Sequence, residues 1–525
     1  MDQGSFGKLF QTPGVTEMIP LLIGTAAYLI AGTLSVTLPR FRFWLSFLGW
    51  AGAMAGLIKG WLTYRSGGLL IRTLGNWGEL GIEIRLDRTT LLFAGLVVLL
   101  NIFTLIYLGS SKSRIYYILY NFLLATSYSL AFSSDLFNIY VSIELLSLIS
   151  ILLIGYERQG FQIYAGIKYL ILSSLAMSLY LIGLGLVYSV GGHLGITKLL
   201  GEINSSPSFS MHVGLSLMVT GLAVKGGVFL FSIWLPDAYA YSGTIVSTLL
   251  AGMATKAGLI GIIRISVLPS LNHLLLGLGV LTGISGGILA IIARKPKRIL
   301  AFSSFSQVGY ILIGVGFGTQ AGILAASLHL FFHGLFKGLL FGSVGHAGVG
   351  EANIPQKEIT SVPLMSKLGL IVGSLSLLAL PPFNGYFSKT LLMKEAGPGW
   401  IQWVILAIGL STAVYLLKLN GALLFAATSK GFTREDASIL AFALFVSVSA
   451  AAGLLFPGRQ ELLKLISLRH VIVTLALVPA GGLMALVLRK KIRRLEAPYY
   501  LFRMDNGIIS VFTGFLFVVT LLFLL

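Results

Sequence analysis

Residues 320–344 read QAGILAASLHLFFHGLFKGLLFGSV. The run is long and apolar enough for a bilayer-crossing helix, which needs about 20 residues. It nevertheless holds His329, His333 and Lys337. At spacings of i, i+4 and i+8 the three share one helical face, a polar stripe on an apolar rod. Such a stripe must face other protein or water, because ionisable groups are expensive in lipid. Two histidines four residues apart on one helix cannot take opposite axial positions of a haem. As a zinc pair they lack a third ligand on this helix. Histidine titrates near physiological pH. The stripe therefore reads as a proton-relay segment, with packed core histidines as the alternative.

Composition sets the same frame for the whole chain. Of 525 residues, 56% are hydrophobic and 10% charged, where a soluble protein carries about 25% charged residues. A soluble enzyme, a nucleic-acid binder and a disordered chain are excluded, and the fold class is an all-α integral membrane protein. Cysteine is absent, which removes disulfides, thiolate nucleophiles, iron–sulfur ligation and covalent haem attachment. Roughly 16 stretches are long enough to span a bilayer. They lie near 18–37, 43–61, 89–109, 115–132, 135–155, 163–190, 211–233, 243–263, 272–293, 299–317, 320–344, 364–390, 400–428, 438–456, 471–488 and 508–525. No alternating strand pattern recurs, so a β-barrel is not expected. The first span reads as an uncleaved helix, and no hydrophilic stretch is long enough for a separate soluble domain. The net charge of +19 reflects Lys and Arg gathered in loops. Odd-numbered loops hold Arg40/Arg42, Lys112/Arg114, the run 294–298 and the run 489–494. They are expected in the cytoplasm, with both termini outside.

Eight basic residues remain within these spans: Lys59, Lys168, Lys225, Lys256, Lys337, Lys367, Lys389 and Lys418. All are lysine. An arginine keeps its proton in a protein, whereas a buried lysine can release it, so the choice suits a relay. Lys59, Lys168, Lys367 and Lys418 lie near enough to span ends to snorkel. One acid lies deep in a span, Glu144, and a buried carboxylate calls for a lysine partner. Asp135 begins the same helix, as a cap or as a functional group.

Two spans look broken, at Val224-Lys225-Gly226-Gly227-Val228 and at Leu380-Pro381-Pro382-Phe383-Asn384. Irregular backbone at membrane depth is tolerated where protein buries it or it lines a watery cavity. Each break adjoins a lysine, Lys225 or Lys389, and each lysine is followed by another about 30 residues on, Lys256 or Lys418. The recurrence suggests two five-helix units, 115–266 and 272–428. Residues 1–114 precede them and 438–525 follow as further transmembrane helices.

In these segments the chain resembles the antiporter-like subunits shared by respiratory complex I, Mrp-type sodium/proton antiporters and membrane-bound hydrogenases. The resemblance is carried by Asp135–Ser147 (DLFNIYVSIELLS), Trp234–Ala238 (WLPDA), Ala254-Thr-Lys256-Ala-Gly-Leu, Lys297–Ser304 with Ser306–Tyr310, His329–Lys337, and Pro381–Lys389 (PPFNGYFSK). It implies a 14-helix core with two inverted five-helix repeats and broken helices, plus about two extra C-terminal helices here. It further implies a proton pathway in which Glu144 pairs with Lys225 and Lys256 links two half-channels. His329, His333 and Lys337 form the centre, and Lys389 connects to the outside. Asp135, Asp237, Lys168 and Lys418 are candidate accessory groups. Leu230 and Ser232 stand where the family often has proline and histidine, and Gly243-Thr244-Ile245 replaces a Pro-Thr-Pro.

The expected function is that of a proton-translocating subunit of a multi-subunit, redox-driven membrane pump in the cell's inner (cytoplasmic) membrane. The chain would do no redox chemistry of its own and hold no cofactor or metal. Its partners would be other membrane subunits and a peripheral redox arm with iron–sulfur clusters, with no nucleic acid. The alternative is a sodium/proton antiporter subunit of an Mrp-type complex. Ammonium groups cannot coordinate sodium, which wants several oxygens, and that favours protons through this chain. A quinone-reducing enzyme in its own right lacks the ligands for a cofactor.

Overall fold

The computed structural model describes residues 18–75, 81–203, 208–267, 271–349, 360–429, 431–453, 468–494 and 503–524. The first half runs α1 (Ile19–Thr37), α2 (Arg42–Gly67), β1 (Leu70–Leu74), β2 (Ile82–Leu86), α3 (Arg88–Leu108), α4 (Arg114–Ala131), α5 (Leu136–Ile154), α6 (Gly160–Gly191), α7 (Ile196–Ile203), α8 (Phe209–Gly226), α9 (Leu235–Tyr241) and α10 (Thr244–Ile265). The second runs α11 (Asn272–Ile292), α12 (Pro296–Gly316), α13 (Gln320–Val344), β3 (Ser361–Pro363), α14 (Leu364–Leu378), α15 (Asn384–Ala396), α16 (Trp400–Leu423), β4 (Ala427–Ser429), α17 (Arg434–Gly453), α18 (Leu468–Arg494) and α19 (Met504–Leu524). Eleven of the described helices are long and apolar enough to cross a membrane. Each expected apolar stretch falls on a helix, and the stretches 211–233 and 364–390 are each interrupted.

Local chemistry sets many of the helix starts. The side chains of Asp87, Asp135, Ser208 and Thr319 accept from backbone N–H groups of the first turns of α3, α5, α8 and α13, satisfying donors that have no intrahelical partner. Pro296 opens α12, where a missing N–H costs nothing.

The connection at 62–88, read as a loop, contains an antiparallel hairpin of β1 and β2. Ile82-Glu-Ile-Arg-Leu86 carries the short alternation that marks it. The hairpin defines one side of the molecule: Ile84 bridges to Ser133 and Asp135 to Gly195, which brings the ends of α4 and α6 and the start of α5 to it. On the opposite side Lys112 Nζ donates to Glu157 Oε1 at 3.0 Å and Lys297 Nζ to the Ser242 carbonyl at 2.8 Å. Burial pushes the Glu157 carboxyl up, and hydrogen bonds from Gln162 and Lys112 more than reverse this, leaving it below the usual range.

The middle of the bundle is α10, α12 and α13. The apolar windows of α10 and α12 are fully buried and that of α13 is 89% buried, so the polar stripe of α13 faces protein. Helices approach closely where small residues allow it, the usual device when lipid supplies no hydrophobic drive. A Cβ at Gly258 of α10 would fall on the backbone of Leu222, Lys225 and Gly226 in α8. At the C-terminal end α18 packs along α16 and α19 along α8.

Candidate functional site

The first break is built at the end of α8. Gly227 takes the left-handed conformation, φ +76°, and ends the helix one residue after Gly226. Carbonyls there would lose helical partners. The Ser232 hydroxyl donates to the Ala223 and Val224 oxygens, and Trp234 Nε1 donates to Val224 O at 2.8 Å. Lys225 sits in the last turn, where the helix dipole favours a cation. Its Nζ donates to Ser147 Oγ at 2.5 Å and to Ser173 Oγ, lies 3.8 Å from Glu144 Oε2, and stands 5.5 Å from the Tyr169 ring centroid. The structure thus brings Glu144 and Lys225 together. Lys225 is 2% exposed and the Glu144 side chain 26%, while the Glu144 oxygen that faces Lys225 is buried.

Lys256 lies just beyond a π-helical turn at Leu250–Ala254. Such a turn shifts the hydrogen-bond register and is frequent at functional sites. Lys256 Nζ donates back to the Ala251 carbonyl within it and lies 3.4 Å from Thr255 Oγ1. Across the bundle the rings of His329 and His333 stack nearly parallel, 6.0 Å between centroids. His329 Nδ1 is 3.0 Å from Ser388 Oγ. Its Nε2 and both ring nitrogens of His333 make no hydrogen bond among the described residues. Lys256, Lys337 and Lys389 all lie within electrostatic reach of His333. Lys337 Nζ donates to the Leu300 carbonyl at 2.7 Å and to Ser303 Oγ.

The second break repeats the logic of the first. Ala379 ends α14 in the left-handed region, φ 62°, and α15 resumes at Asn384. Lys389 Nζ donates to the Leu377 carbonyl, freed at the end of α14, at 2.7 Å and lies 4.7 Å from the Tyr310 ring centroid. The Tyr310 ring in turn meets His329 edge-on at 5.4 Å. Serine hydroxyls and tyrosine rings thus fill the gaps between the charged groups.

The accessory candidates separate. Lys168 does not snorkel: it is fully buried, and its Nζ donates to Asp237 Oδ2 at 2.6 Å. Asp237 also receives Arg298 Nη2 at 2.9 Å. Arg298 and Lys297, read as loop residues, are buried in the first turn of α12. Asp135 caps α5, accepting from Asn138 N at 2.8 Å. Lys418 Nζ donates to the Ile291 and Ala293 carbonyls at the end of α11, so it closes a helix terminus instead of joining the line. The expectation that every basic residue inside a span is lysine fails at Arg264. It lies in the last turn of α10, 3% exposed at its side chain, and its Nη1 donates to Asp87 Oδ2 at 2.6 Å.

The transmembrane family described as "NADH:quinone oxidoreductase/Mrp antiporter" matches residues 133–416, which hold every residue of the line from Glu144 to Lys389. The chain belongs to this family. NADH-quinone oxidoreductase subunit N of Desulforudis audaxviator is 33% identical over 78% of this chain and 85% of its own length. A Na(+)/H(+) antiporter subunit of Alkalihalophilus pseudofirmus is 29% identical over 67% of this chain and 75% of its own. A chain in the solved membrane-bound sulfane sulfur reductase, an archaeal respiratory membrane complex, has the same fold. The TM-score is 0.76 at 22% identity, covering 88% of this chain and 99% of that one. Within this NADH:quinone oxidoreductase/Mrp antiporter chain, sequence reasoning missed Ser147, Ser173, Ser303 and Ser388, which hold the lysines and a histidine. Serine is common in membrane helices, and only their positions opposite a lysine or a histidine on another helix distinguish these four.

Proposed function

We propose that the chain is a proton-translocating subunit of a multi-subunit, redox-driven complex in the inner (cytoplasmic) membrane. The observation that carries this reading is the buried line Lys225, Lys256, His333, His329, Lys337 and Lys389, reached through Glu144. Each member can take and release a proton, and the arginines, which cannot, lie off the line. The unbonded nitrogens of the two histidines suit hydrogen-bonding to water and a moving proton. The two breaks give Lys225 and Lys389 polar surroundings in otherwise apolar helices.

In this reading the chain has two five-helix repeats, 115–266 and 272–428, inside a 14-helix core, with both termini outside. The side bearing Lys112, Lys297 and Lys418 is then cytoplasmic. The driving force comes from partners: other membrane subunits and a redox arm with iron–sulfur clusters. The second reading, a sodium/proton antiporter subunit of an Mrp-type complex, draws on the relative named as part of a Na(+)/H(+) antiporter. Cationic and imidazole groups fill the middle of the line, an unsuitable place for a sodium ion. Protons through this chain are favoured on that ground.

The test is a double-substitution cycle on Glu144 and Lys225 in the assembled complex, reading proton translocation into vesicles. Removing one partner of a buried pair strands the other at a cost on the order of 3–5 kcal/mol, and the stranded group escapes by becoming neutral. Glu144→Gln and Lys225→Ala should each abolish translocation through this chain. The double variant should be no worse than either. Additive partial losses would mean that the two act independently, and near-normal translocation by Glu144→Gln would overturn the pathway.

A further inference from the structure

Helix α18 lies outside the family-matched segment 133–416, yet it closes one side of the Lys389 site. A cavity beside Lys389 is lined by Tyr310 and Thr390 on one side and by Val473, Thr474 and Leu477 of α18 on the other. Lys389 is 8% exposed, and among the described residues it is the only charged residue lining the cavity. The register of the wall is set by small residues. Gly409 of α16 packs against Leu477, and Gly481 of α18 against Ala413. The two contacts advance together by four residues, so α18 runs parallel to α16. Lys389 stands mid-way along α15, and Val473 and Thr474 stand near the start of α18. The start of α13 meets the end of α15 through Thr319 and Glu395. The start of α13 is tied to the hairpin side through Thr89 and Ser327. The cavity therefore lies between the middle of the membrane and the hairpin side. Its polar lining residues are Lys389, Tyr310, Thr390 and Thr474, a number that suits ordered water in an otherwise apolar space.

We propose that α18 is the outer wall of a water-holding vestibule through which the proton leaving Lys389 reaches the hairpin side, with Thr474 as its hydrogen-bonding lining residue. In the step, an N–H bond of the Lys389 ammonium breaks and an O–H bond to vestibule water forms. Lysine becomes neutral and the hydronium carries the charge outward. This inference rests on the pathway reading of Lys389 and adds the helix that bounds its outlet.

The absence of native cysteine makes the test direct. Thr474→Cys is placed in the full chain within its complex, in vesicles, and treated from either side with a membrane-impermeant cationic methanethiosulfonate. Labelling is read by mass and transport by proton translocation. Leu477→Cys probes the same wall, and Leu475→Cys, half-exposed on the outer surface of the chain, is the lipid-facing control. The expected result is labelling of Thr474→Cys and Leu477→Cys from the hairpin side only, with no labelling of Leu475→Cys. Translocation by the labelled protein should fall to the level of Lys389→Ala and return on reduction with dithiothreitol. If neither wall position is labelled from either side, or labelling leaves translocation unchanged, the proposal is overturned. The pathway reading fails by a separate result, normal translocation by Lys389→Ala, which does not depend on labelling.

Discussion

Asp87→Asn isolates one charge at a junction of three helices and the hairpin. Asp87 caps α3 through Oδ1, which accepts from Thr90 N at 2.8 Å. Its Oδ2 accepts from Arg264 Nη1 at 2.6 Å and forms an ion pair with Arg85 Nε at 2.9 Å. Asparagine keeps an oxygen for the cap and loses the charge, so the main effect is to strand Arg264, which is 3% exposed at its side chain. Stranding a buried charge costs on the order of 3–5 kcal/mol. The pH dependence supplies a second, smaller figure. Burial pushes the Asp87 carboxyl up, and the Arg264 and Arg85 guanidiniums more than reverse this, holding it down to about 2. Lowering a carboxyl from 3.8 to about 2 corresponds to about 2 kcal/mol of stability. Because the folded value is depressed, that stability is present above the ordinary carboxyl range and is lost as pH falls through about 2. The substitution imposes at every pH the loss of charge that protonation imposes only near pH 2. The assay is thermal denaturation of the assembled complex in detergent at neutral pH. Asp87→Asn should lower the midpoint clearly, and pairing it with Arg264→Met should recover part of the loss. A midpoint for Asp87→Asn equal to that of the unaltered protein would refute the reasoning.

Two further outcomes follow from the geometry. Gly258→Ala should push α10 away from α8, since the added carbon meets the Leu222 oxygen at 2.7 Å and the Lys225 carbonyl carbon at 2.7 Å. Overpacking of this kind costs about 1–3 kcal/mol, and translocation should fall because Lys225 is displaced. A thermal midpoint and a translocation rate both unchanged would contradict the packing. Lys389→Ala leaves the helix break intact and should stop proton release while the complex stays assembled, measured by translocation at matched complex content. Normal rates would remove Lys389 from the pathway.

Much of the fold was legible because apolar length and lysine placement are local signals. The stretch 320–344 falls on α13 with the same bounds, and both breaks lie beside the lysines that mark them. Three features were hidden for different physical reasons. Arg298 sits in a basic run that looks like a solvated loop, and its burial rests on partners distant in sequence, the Asp237 carboxylate and the Tyr241 hydroxyl. Arg264 lies one residue past the apolar stretch, and its partner Asp87 is 177 residues away. The hairpin has strands of five residues each, too short for alternation to stand out between two long helices. For the site, the charged residues could be named from sequence because they are rare in apolar helices. The hydroxyls of Ser147, Ser173, Ser303 and Ser388 could not, because their meaning comes from contacts across helices. That Glu144 would pair with a lysine was foreseeable on electrostatic grounds, since a carboxylate in an apolar helix needs a cation; that the lysine is Lys225 followed from the family resemblance.

The central claim is that a proton moves along the buried line of this chain, and Lys256→Arg tests it most directly. Lys256 is fully buried and lies within electrostatic reach of both histidines of the stripe. Arginine preserves the positive charge but does not release its proton. The account predicts that complexes carrying Lys256→Arg assemble and translocate no protons through this chain, as with Lys256→Ala. Normal translocation by Lys256→Arg would show that position 256 needs only a fixed charge, and would contradict the relay.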